Sequence, residues 1–103
     1  MSAHAARLGV TNTTIERLIS DDGNSGDCRI KLSDPVTNNN TPATTCSTDG
    51  WVSLDCKEVY GKGGERHYAS ALLAFSLGKT VNVTVEADQK NGAYCVVKWF
   101  EVF

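Results

Sequence analysis

The chain has no excess of positive charge: ten Lys and Arg stand against twelve Asp and Glu, for a net charge of −2. Such a surface has no general attraction for a polyanion, so a generic nucleic-acid binder is disfavoured. Long apolar runs are missing too. Nothing approaches the roughly 18 consecutive residues that a membrane helix needs, and membrane insertion is not expected. Residues 1–7 (MSAHAAR) lack the apolar centre of an export signal, which leaves a cytosolic protein or a mature segment whose signal was removed. No C-x-x-C pair occurs, and neither His lies close enough to the cysteines to complete a zinc knuckle. That argues against structural zinc and against a thioredoxin-like redox centre. No serine sits in a G-x-S-x-G turn. Neither a catalytic site nor a metal or cofactor site is expected.

What is present is one domain. A length of 103 residues is near the modal domain size, and 41% apolar with 21% charged residues suffices for a core. Cys28, Cys46, Cys56 and Cys95 are the most informative residues. An even count among Asn-, Thr-, Ser- and Gly-rich loops, with no cytosolic motif, points to two disulfides and so to a secreted or periplasmic protein. The count alone leaves all three connectivities open.

Residues 13–20 (TTIERLIS) mix β-branched and long apolar side chains and run into a strong turn signal at 21–27 (DDGNSGD). Residues 28–32 (CRIKL) then alternate with period two, completing a hairpin with a long loop. Residues 34–50 carry both prolines and few apolar groups and read as a loop. Residues 51–56 (WVSLDC) form a short strand with Trp51, Ser53 and Asp55 on one face. After the glycines at 61, 63 and 64, residues 65–77 place Tyr68, Leu72 and Phe75, with Ala69, Leu73 and Leu77 beside them, on an apolar helical face expected to press on the core. Gly78 is placed as the left-handed C′ residue. Residues 81–86 are a clean alternating strand, Lys90, Asn91 and Gly92 supply a turn, and 93–103 form a strand apolar on both faces, hence central or covered by another chain.

Three strands, one helix and two strands is the order of a five-stranded OB-fold-like barrel, mainly β with one helix, over residues 12–103, behind a flexible segment at 1–11. In that topology the second and third strands pair antiparallel, and the third and fifth lie parallel. Cys28 opens the second strand and Cys56 closes the third; Cys46 and Cys95 fall at one end of the barrel. The expected bridges are therefore Cys28–Cys56 and Cys46–Cys95.

Over residues 50–103 the strand WVSLDC, the glycine-rich loop, the segment 67–83 (HYASALLAFSLGKTVNV) and the closing GAYC at 92–95 resemble bacterial proteins related to subtilase cytotoxin B subunits. The resemblance implies an OB-fold binding subunit that forms a homo-oligomeric ring, commonly a pentamer, recognises host or surface glycans as a lectin, and has a toxic A subunit as a candidate partner. It assigns no binding residue.

From the residues themselves, Trp51 is the best carbohydrate candidate, with Asp49 and Ser53 beside it; Tyr60 and Arg66 are weaker members of the same site. Sugars need an aromatic face for C–H stacking and polar neighbours for their hydroxyls. His67, in the first turn of the helix, reads as a solvated residue. Asp21, Asp22 and Asp27 offer oxygen ligands for a cation but match no EF-hand spacing, so a polar turn is the better reading. The sequence 61–66 (GKGGER) opens a helix as a phosphate loop does, yet lacks the P-loop spacing and reads as a flexible entry loop. The leading expectation is a secreted, non-enzymatic, ring-forming glycan-binding subunit that avidity makes effective. Its rivals are a monomeric protein-binding or inhibitor module using the 34–50 loop and a single-stranded nucleic-acid-binding OB-fold.

Overall fold

Where side chains alternate, as over residues 29–32 and 81–86, they divide a strand between a wet and a dry side, and the dry sides meet in one core. The computed structural model describes residues 7–20, 28–38, 41–42 and 49–103. In chain order these form β1 (Arg7–Thr13), β2 (Ile15–Ile19), β3 (Arg29–Leu32), β4 (Thr37–Asn38), β5 (Thr41–Pro42), β6 (Trp51–Ser53), α1 (Gly64–Leu77), β7 (Val81–Asn91) and β8 (Tyr94–Val102). The protein is thus mainly β with one helix. Six strands of three or more residues and the two-residue β4 and β5 make one open mixed sheet, in the order β2-β3-β6-β8-β7-β1-β4-β5.

Several expectations meet their counterparts here. The hairpin from 13–20 to 28–32 is the antiparallel β2–β3 pair, with Ile15 opposite Leu32 and Ile19 opposite Arg29. β3 continues antiparallel into β6, and β6 lies parallel to β8 with Ser53 opposite Val96. The C-terminal strand, apolar on both faces, is central between β6 and β7. Its hairpin with β7 closes at Gly92, whose φ of 64° suits the tight turn between Asn91 and Tyr94. Val81, Val83 and Val85 of β7 are buried, as their period demands, together with Ile30, Leu32, Val52, Leu54 and Val97.

Other elements differ from the sequence reading. β1 begins at Arg7, inside the 1–11 segment expected to be flexible, and pairs antiparallel with β7 from Arg7–Glu86 to Thr13–Val81. Val10 and Arg7 face solvent in part, so this strand shows less alternation than the others. In place of five strands the described residues form eight strand segments. β1 and β2 are separated by Thr14 alone, yet stand on opposite sides of the central strands. The 34–50 loop contributes β4, β5 and the fully buried Val36.

The helix runs over Gly64–Leu77 and ends at Gly78 in the left-handed conformation, with Lys79 N–H donating to the Ala74 carbonyl at 2.9 Å. Its buried side is rotated from the expected one and shares only Tyr68 with it. Gly64, Ala71 and Ala74 face the core, while Leu72, Leu73, Phe75 and Leu77 are exposed and Tyr68 is half-buried. At its start the helix lies close against the turn at Asp55 and Cys56. At Gly64 a Cβ would collide with the Asp55 carbonyl.

Cys28 and Cys56 form a disulfide with Cα atoms 5.8 Å apart, as the strand pairing led one to expect. It joins the start of β3 to the chain beyond β6. The second expected bridge involves Cys46, which lies outside the described residues, as do the aspartates at 21, 22 and 27; Cys95 is buried.

Candidate functional site

Two surfaces gather the residues singled out above. The first lies on the sheet. Four adjacent strands, β2, β3, β6 and β8, each send one large side chain to it. Trp51 of β6 is half-buried, with the guanidinium carbons of Arg17 (β2) and Arg29 (β3) at 5.4 and 5.8 Å from its ring centre. Tyr94 of β8 stands 6.2 Å away, tilted by 51°, and Arg29 is also 5.3 Å from the Tyr94 ring. Cations over aromatic faces are attracted by the ring quadrupole, which fixes these long side chains at a cost in their freedom. Lys31, opposite Trp51 in the β3–β6 ladder, adds a further cation and pairs with Glu16 at 3.1 Å.

Asp49 is exposed, two residues before Trp51. Ser53 shares the strand with Trp51 but is completely buried, and no ligand reaches it in this state. Its hydroxyl accepts hydrogen bonds from the Asp55 N–H at 3.1 Å and from Asn91 Nδ2 at 3.0 Å. Ser53 belongs to an internal polar knot centred on Asp55. The Asp55 carboxylate accepts from the N–H groups of Val59 (3.0 Å) and Tyr60 (2.9 Å) and from Asn91 Nδ2 (3.0 Å). Asp55 is 4% exposed and adopts a left-handed φ of 58°, which Asp tolerates better than most residues. The knot therefore anchors the loop that carries Tyr60.

The second surface is a cleft of about 320 Å³ beside the start of α1. Arg7, Lys62, Arg66, His67 and Lys98 line it, with Leu54, Asp55 and the glycines 61, 63 and 64. Tyr60 sits at its edge: Lys98 Nζ donates to the Tyr60 carbonyl at 3.4 Å, and the Tyr60 hydroxyl donates to the Lys90 carbonyl at 2.9 Å. His67 is half-buried rather than solvated, and its ring lies 6.5 Å from Phe100. Burial pushes its imidazole below the ordinary value; the charges of Arg66 and Lys98 push the same way, against Asp55.

The five expected site residues thus divide. Trp51 and Asp49 belong with the sheet face, Ser53 is interior, and Tyr60 and Arg66 belong to the loop and cleft by α1. Arg17, Arg29 and Tyr94 were missed. Arg29 stands at a polar position of the alternating β3 and Arg17 on the less regular β2, and only the pairing order brings them over one ring. Among the described residues no three potential metal ligands cluster. No protein-family model matches this chain, and no curated protein matches it.

Proposed function

We propose that the chain is a secreted or periplasmic, non-enzymatic glycan-binding subunit that assembles with copies of itself, in the manner of a toxin B subunit. The observation that carries this reading is the half-exposed Trp51 set between Arg17, Arg29 and Tyr94. An indole face stacks on the C–H side of a sugar ring while guanidinium and phenol groups donate to its hydroxyls. A disulfide suits an exported protein, and no described helix is long and apolar enough to cross a membrane.

An OB-type topology is the fold reading we favour. Its support is the run of β1 through Thr14 into β2, which would act as a single bent strand flanking β7 with one half and β3 with the other. The parallel β6–β8 pair fits the same topology. Self-association, with a pentameric ring as the favoured form and a toxic A subunit as a further partner, draws support from the uncovered apolar side of α1. A glycan array probed with multivalently displayed protein tests the central point. Specific sugar binding that Trp51→Ala abolishes is the expected result; a blank array with folded protein would refute it.

The stacking of Arg17 and Arg29 on Trp51 and Tyr94 favours one other reading, single-stranded nucleic acid on the same sheet face. Fluorescence anisotropy with a labelled oligothymidine at low salt separates the two, because the glycan reading expects no binding.

A further inference from the structure

The cleft beside α1 plays no part in the Trp51 reading and has a chemistry of its own. It draws basic groups from four parts of the chain: Arg7 from β1, Lys62 from the glycine-rich loop, Arg66 and His67 from the helix, and Lys98 from β8. Asp55 is the only acid on its wall among the described residues, and both of its oxygens already accept hydrogen bonds from Val59, Tyr60 and Asn91. Arg7 is paired with Glu86 at 2.7 Å. Lys62, Arg66 and Lys98 have no carboxylate partner among the described residues.

Cations concentrated in a concave wall repel one another, and a bound counter-charge relieves them. The depressed His67 imidazole registers that positive field as well as its own burial. The cleft reaches the start of the helix at Gly63 and Gly64, and Gly63 supplies no side-chain cap. First-turn N–H groups therefore add to the same field.

We infer that this cleft binds a tetrahedral oxyanion, a sulfate or phosphate group, through Lys62, Arg66 and Lys98. Arginine presents a planar fork of donors to two oxygens, and the two ammonium groups supply point charges on flexible stems. The group arrives either as a free ion or as an ester on a larger molecule. Neither source depends on the sugar reading, so the two proposals stand or fall separately.

Nuclear magnetic resonance titration of the full protein tests the site. Sodium sulfate is compared with sodium chloride at matched ionic strength, because sulfate, unlike phosphate, keeps its charge over the range in which His67 titrates. Saturable shifts confined to residues 61–67 and Lys98, absent with chloride, are expected, together with a rise in the His67 pKa on sulfate binding. Lys62→Ala with Arg66→Ala should weaken sulfate at least tenfold while the remaining resonances stay in place, as the exposed positions of both residues allow. A parallel titration with phenyl sulfate separates the sources: a tighter ester identifies a group carried on a larger molecule, and equal or weaker binding identifies the free ion. Equal shifts with chloride, or sulfate affinity unchanged in the double variant, would overturn the assignment.

Discussion

Asp55 holds together more of this structure than any other polar residue described. Its carboxylate receives two backbone N–H groups and an amide, and its own N–H donates to Ser53. Removing the acceptor strands those donors, at about 1–3 kcal/mol. Asp55→Ala should lower the urea midpoint accordingly and strip exchange protection from the Val59 and Tyr60 amides. Asp55→Asn, which keeps one acceptor oxygen and tolerates the left-handed backbone, should lose less. None of this was legible in the residues 51–56. Alternation placed Asp55 beside Trp51 on a strand, but the ladder ends at Ser53 and the left-handed turn that follows breaks the period. His67 gives a second outcome at this scale. Its folded-state pKa lies below the ordinary histidine value of 6.5, so the unfolded chain binds the proton more readily. This group's contribution to stability is complete above that value and declines as pH falls through it towards the folded value. His67→Gln should flatten that acid-side decline in denaturation midpoints measured across pH.

Among the elements, α1 shows most clearly where a pattern misleads. The spacing of Tyr68, Leu72 and Phe75 describes a helical face correctly, and the helix forms within one residue of its expected start. Periodicity does not say which face goes inward. Gly64, Ala71 and Ala74 are buried beneath the helix with Tyr68 packed partly beside them, and Leu72, Leu73, Phe75 and Leu77 are turned out. The strands were more readable, because β7 and β3 bury one face only and their alternation survives in the fold. If the apolar side of α1 is a contact between copies, Leu73→Lys with Leu77→Lys should dissociate the assembly to about monomer mass by multi-angle scattering. Stability per chain should change by no more than ~0.5 kcal/mol for each exposed site. Retained assembly would place the contact elsewhere.

Across the whole molecule the Cys28–Cys56 bridge closes a loop of sequence separation 28, tying the edge-side β3 to the chain beyond the central β6. Cys28→Ala with Cys56→Ala should cost about 2–4 kcal/mol, read as a lower denaturant midpoint than that of the oxidised parent. That pairing was legible from strand order alone. The separation of β1 from β2 across the sheet was not, because it depends on a bend at Thr14 that no residue type announces. The order of the strands also governs when the molecule is able to form. β8 occupies the middle of the sheet but follows the other described strands in the chain, so β6 and β7 have no strand between them until it emerges. A ribosome-bound chain halted before residue 94 should remain protease-sensitive. Through most of its synthesis the polypeptide thus lacks the one strand that ties the two halves of its sheet together.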